Sequence, residues 1–75
     1  MTEDDLSRLR ARLADRAPGP FHFRDIWPGF DDLWIGDKVK LGHRFLDAVR
    51  AGALPGVTDT GTKRGGGRLY LWTPG

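Results

Sequence analysis

Lys40, His43, Arg44 and Arg50 cluster in the middle of this 75-residue chain, and Lys63, Arg64 and Arg68 surround the run Gly65-Gly66-Gly67 further on. The chemistry these side chains offer is anion binding. Arg presents a planar fork of donors that fits a phosphate or a guanine edge two bonds at a time, whereas Lys is a mobile point charge. Arg44 is therefore the candidate base reader, with Lys40 and His43 suited to positioning a backbone. Lys63, Arg64 and Arg68 belong to a loop able to lie along phosphates, which fix register without reading sequence.

Other chemistries find fewer of the residues they need. Cysteine is absent, the single serine, Ser7, falls in a surface helix, and neither His22 nor His43 has an evident Ser or Thr partner, so no catalytic nucleophile is expected. Asp31 and Asp32 precede an apolar run, where adjacent acids serve as solvated or capping groups more often than as an acid-base pair. His22 and His43 stand 21 residues apart, without a ligand spacing that marks a metal site. The glycine run leads into a strand rather than a helix and lacks the Gly-Lys-Ser/Thr ending of a phosphate loop. A single Arg64-Gly65-Gly66 is more simply a hairpin tip than an RNA-binding tail. The expectation is a binding module with no metal and no cofactor, not an enzyme.

Composition points the same way. With 39% hydrophobic residues, three Trp, four Phe and one Tyr, the chain has apolar surface for one ordered domain, unaided by disulfides. Its net charge of +2 conceals an asymmetry: residues 1–37 carry eight acidic and five basic side chains, residues 38–75 two acidic and seven basic. An anionic partner for the second half follows from that split. No apolar run approaches the roughly 20 residues that span a bilayer, and MTEDDLSRL lacks the basic and apolar regions of a signal peptide. The expected setting is soluble and cytoplasmic, without membrane contact.

The elements that must position these cations can be read in order. Thr2 and Asp5 resemble a capping box, and Leu6, Leu9 and Leu13, extended by Ala17, line one stripe of a helix over residues 3–16 within an N-terminal segment 1–17. Pro18-Gly19-Pro20 ends it. Phe21-His22-Phe23 alternates as a short edge strand or is extended loop, and the supporting segment continues to residue 36, with Asp25 capping a brief turn and Phe30–Ile35 short-helical or irregular. Ile35-Gly36-Asp37 reads as a turn. From Asp37 as N-cap to Gly52 as left-handed stop runs one amphipathic helix, with Leu41, Phe45, Ala48 and Val49 on one side and Lys40, His43, Arg44, Asp47 and Arg50 on the other. Leu54 folds back over its end. The segment 57–73 closes as a β-hairpin: a strand over Val57–Thr60, a mobile loop over Gly61–Gly67, and a strand Arg68–Trp72 with Leu69 and Leu71 against the helices and Tyr70 and Trp72 partly exposed, or covered by helix 1 or by a partner.

Phe23, Leu33, the pattern Leu41-Gly42-x-x-Phe45-x-x-x-Val49-x-x-Gly52 and the hairpin residues Leu69-Tyr70 carry a resemblance to small bacterial winged-helix-like proteins of unassigned function. It covers roughly residues 21–72. The resemblance implies an α+β winged helix-turn-helix-like domain of two to three helices plus a C-terminal wing, whose 37–52 helix enters a DNA major groove. The expected partner is double-stranded DNA, as for a transcriptional or plasmid or phage regulator. The alternative keeps the fold as a protein-interaction module, such as a phage- or plasmid-encoded inhibitor of a nucleic-acid-binding protein. Tyr70, Trp72, and Trp27 or Trp34 would then be the anchors, though Trp34 reads more simply as core. A homodimer is compatible with either.

Overall fold

Thr2 and Asp5 start the first helix by exchanging hydrogen bonds: the Asp5 amide donates to Thr2 Oγ1 at 3.1 Å and the Thr2 amide to the Asp5 carboxylate at 3.2 Å. In the computed structural model, which describes residues 1–74, this helix is α1 (Glu3–Ala14), followed by β1 (Gly19–His22), α2 (Phe23–Ile26), a 3-10 turn (Phe30–Asp32), α3 (Ile35–Arg50), β2 (Val57–Arg64) and β3 (Gly67–Trp72). The fold is α+β, with three α-helices over one antiparallel sheet of order β1-β3-β2. Leu9 and Leu13 bury the expected stripe of α1, but the helix stops at Ala14 and Ala17 is exposed beyond it.

β1 is an edge strand, as its alternation implies, but it covers Gly19–His22 rather than Phe21–Phe23. It pairs Phe21 with Tyr70 and ends at His22. Phe23 is the first residue of α2, whose opening amide at His22 donates to Asp25 at 2.9 Å. Asp25 thus closes the start of a helical turn from inside it rather than capping the next one.

α3 starts at Ile35, three residues earlier than an Asp37 N-cap implies, with Trp34 as N-cap and the Lys38 amide donating to the Trp34 carbonyl at 2.9 Å. Ile35-Gly36-Asp37 is therefore helix, not turn. A carboxylate one turn inside a helix interacts with the same exposed amides and dipole as one at the cap, so sequence alone leaves the two placements close. At the other end Gly52 adopts φ 76°, its amide reaches the Val49 carbonyl at 3.1 Å and the Ala53 amide the Ala48 carbonyl at 3.0 Å. That is the Schellman arrangement expected of Gly52.

The hairpin carries regular strand pairing where a loop is expected at 61–67. β2 runs on to Arg64, a register shift between Asp59 and Lys63 absorbs the extra residues, and only Gly65 and Gly66 turn the chain. Their φ values of 60° and 85° are those of a two-residue type I′ turn. The facing of β3 is the reverse of expectation: Tyr70 and Trp72 are buried, and Leu69 and Leu71 are half-buried on the other face. Pairing decides this, since Tyr70 lies opposite buried Phe21 and Trp72 opposite buried Val57. The aromatic rings remove more area from water than leucine would, and the Trp72 indole N–H donates to the Arg16 carbonyl at 3.2 Å.

Phe45 sits at the centre, 0% exposed, stacked on Phe23 at 4.4 Å between centroids and edge-on to Tyr70 at 4.8 Å. Tyr70 continues the series to Phe21 at 5.8 Å, and Phe23 to Phe30 at 5.6 Å. This aromatic core locks α3, α2 and the sheet together, which fixes where α3 stands relative to the hairpin. Among the described residues no helix is long and apolar enough to cross a membrane.

Candidate functional site

Between the hairpin-facing flank of α3, the short α2 and the tip of the β2–β3 hairpin lies a groove of about 570 Å³. Lys38, Val39, Gly42, His43 and Leu46 form its helix wall, because positions three to four apart share one side of α3. The buried or part-buried rings of Phe23, Phe30 and Tyr70 line it, Lys63 through Arg68 form the opposite wall, and His22 and Arg24 border it from β1 and α2. No carboxylate lines it among the described residues, in a chain with ten acidic side chains. Two cations at the hairpin tip, one at the head of α3 and one on α2 therefore face a common space without local neutralisation.

Specific contacts hold the walls. Arg24 donates from Nη2 to the Gly65 carbonyl at 2.9 Å, tying α2 to the turn of the hairpin. His22 Nδ1 lies 3.0 Å from the Arg68 carbonyl; a carbonyl only accepts, so this nitrogen carries the proton. Lys38 Nζ stands 5.8 Å from the centre of the Phe30 ring, within cation–π range, which keeps its half-buried stem against the groove.

Arg68 behaves differently from the other hairpin cations. It is half-buried and donates to both oxygens of Asp59, at 2.8 Å and 2.7 Å. The Arg68 hydrogen bonds are the main reason the Asp59 carboxyl is held below the ordinary carboxylate range, helped by the Gly61 amide and by the charges of Arg68 and Arg50, against the opposing effect of burial. The same bond raises the Arg68 guanidinium above its usual value. Arg68 thus lines the groove as a member of an ion pair, with Nε and Nη2 both engaged by Asp59. Burial is also the largest influence on Tyr70, whose phenol is pushed up.

The structure brings together His43, Lys63, Arg64 and the ion-paired Arg68, and leaves Lys40, Arg44 and Arg50 outside the groove. Lys40 is exposed and does not line it, and exposed Arg50 is at the end of α3. Arg44 lies on the opposite flank, in a shallow depression shared with Met1, Leu6 and Asp47. Arg24 and Lys38 take the places that sequence reasoning assigns elsewhere. Lys38 has a signal, since it precedes Phe45 by seven residues and so shares its side of the helix; Arg24 has none, because α2 is too short to show a period. Tyr70 and Trp72, at 3% and 8% exposure, belong to the core and are not surface anchors. The exposed apolar residues are instead Trp34, Ile35 and Val39.

Among the described residues no group of three or more His, Asp or Glu side chains is gathered to hold a metal ion. Comparison with protein-family models, characterised proteins and solved structures finds no match to the chain.

Proposed function

We propose that this chain is a small DNA-binding module of the winged helix-turn-helix type, in which α3 and the β2–β3 hairpin straddle the phosphate backbone of a duplex. The observation that carries the reading is the carboxylate-free groove, with Lys38 and His43 on one wall, Lys63 and Arg64 on the other and Arg24 on α2. The order α1-β1-α2-α3-β2-β3 supports it, because the hairpin follows α3 directly and β1 joins its β3 strand, which leaves the hairpin tip beside the helix. The helix preceding α3 is reduced to α2 and the 3-10 turn, so the aromatic core rather than a long supporting helix sets the angle of α3. A protein-interaction module anchored by Tyr70 and Trp72 loses its anchors to the core.

Duplex binding followed across a salt series tests the proposal. About four phosphate contacts, from Arg24, Lys38, Lys63 and Arg64, give a slope of log affinity against log salt near −3.5, in random sequence as well as in any preferred site. Absence of duplex binding at low salt rejects it.

A further inference from the structure

We infer that Trp34 is a stacking platform for an unpaired base, so that the groove favours DNA in which single-stranded nucleotides adjoin a duplex. The inference rests on the DNA-binding reading and specifies the form of DNA that the site takes.

Trp34 is 83% exposed, while Trp72 is in the core and Trp27 packs against it. Phe21, Phe23, Phe45 and Tyr70 are all buried, and Phe30 is packed against them, so Trp34 alone among the aromatic side chains is left largely in water. A single exposed apolar residue is ordinary, but this one has neighbours of the same kind. Ile35, at 77% exposure, follows it, and Val39, one turn further along the same side of α3, lies in the wall of the groove. Trp34 is also the N-cap of α3, and its carbonyl takes the amide of Lys38, which lines the groove. The indole is thus one helical turn from the cationic surface.

Charge selects the occupant. The groove offers cations and no carboxylate, while the exposed acids Asp31, Asp32 and Asp37 flank Trp34 in the chain, so an occupant of both must keep its anionic groups in the groove and present a flat, uncharged face to the indole. A nucleic acid strand with unstacked bases has both properties, phosphates for Lys38, Lys63 and Arg64 and a π-face for the indole, which is the combination found in single-strand binders. A blunt duplex hides its base faces in the stack and offers an indole only its edges. A second copy of this chain is less well matched, because three side chains present less than the roughly 600 Å² per partner that stable interfaces bury.

The test compares four probes on the full chain: blunt duplex, the same duplex with a short oligo-dT overhang, the same overhang made abasic, and oligo-dT alone. The expected result is that the dT overhang binds roughly ten-fold tighter than blunt duplex, as one stacked base provides, that the abasic overhang matches blunt duplex, and that oligo-dT quenches tryptophan emission. Trp34→Ala should remove the ten-fold gain while keeping blunt-duplex affinity and melting temperature, and Trp34→Phe should restore part of the gain. Equal binding of dT and abasic overhangs by the native chain overturns the inference, as does self-association that Trp34→Ala abolishes without any dependence on bases. In either case salt-dependent binding of blunt duplex leaves the DNA-binding proposal standing; loss of all DNA binding removes both.

Discussion

Arg68 holds Asp59 by two parallel hydrogen bonds, Nε to Oδ1 at 2.8 Å and Nη2 to Oδ2 at 2.7 Å, beside the register shift that lets β2 and β3 run on to the hairpin tip. The pair shapes the groove's far wall and withholds one cation from it. Its pH dependence follows from the lowered Asp59 carboxyl. A carboxyl whose folded pKa lies below its unfolded value adds stability that is fully present above about pH 4 and is lost as pH falls through the folded value. Melting temperature of the native chain should therefore fall between about pH 5 and pH 2. Asp59→Asn should melt lower at neutral pH and show a flatter acid limb; equal acid limbs would show that the pair does not stabilise the fold. By releasing Arg68 the same change should steepen the salt dependence of DNA binding by about one unit of slope.

Phe45 touches both halves of the aromatic core, Phe23 on one side and Tyr70 on the other, and is fully buried. Phe45→Ala should cost about 3 to 5 kcal/mol, from reduced burial and the cavity left behind. A domain of this size has total stability of the same order, so the variant is expected to be largely unfolded at 37 °C. Denaturant melting decides it: a loss below about 1 kcal/mol contradicts the central position of Phe45.

Gly56 has φ 88°, and a Cβ there would meet Trp72 Cζ3 at 2.7 Å and the Thr73 carbonyl at 2.9 Å. Gly56→Ala should destabilise by about 2 kcal/mol or more, combining left-handed strain with a clash against a buried ring. Gly61 also has positive φ, at 74°, but open space around its Cβ, so Gly61→Ala should cost only the strain, about 1 kcal/mol. Equal losses at the two positions would mean that Trp72 yields without cost.

The contrast between α3 and β3 shows what sequence makes legible. Phe45 and Val49 recur at helical spacing among charges, so only one phase of α3 buries them, and the core face, the Gly52 stop and the surface position of Lys40, His43 and Arg44 all follow. β3 alternates Leu69 and Leu71 with Tyr70 and Trp72, so both faces are apolar and its own residues cannot choose between them. Phe21 and Val57, far away in the chain, make the choice by pairing. The groove is partly legible for the same reason. His43, Lys63 and Arg64 are visible as cations on marked elements, whereas Arg24 joins them through a hydrogen bond to Gly65 that spans 41 residues. The exposure of Trp34 is hidden in the sequence because its segment lacks a period, and bulky apolar residues there read as core.

Splitting the basic surface into two flanks leads to the sharpest expectation about binding. Lys63 and Arg64 line the groove, so Lys63→Ala with Arg64→Ala should weaken binding to every duplex sequence and reduce the steepness of the salt dependence by about two, one unit for each phosphate that is no longer neutralised. Lys38→Ala should act in the same direction with about half that change. Arg44, read from sequence as the base reader, instead borders Met1 and Leu6 on the other flank. Its replacement by alanine should leave sequence preference unchanged and alter affinity by less than about two-fold at moderate salt, as expected of a screened charge outside the binding surface. Anisotropy titrations at three salt concentrations on a pool of random duplexes read all of these at once. If Arg44→Ala matches the wing variants in its effect on slope, or exceeds them at one particular sequence, the duplex lies along the outer face of α3 and not in the groove.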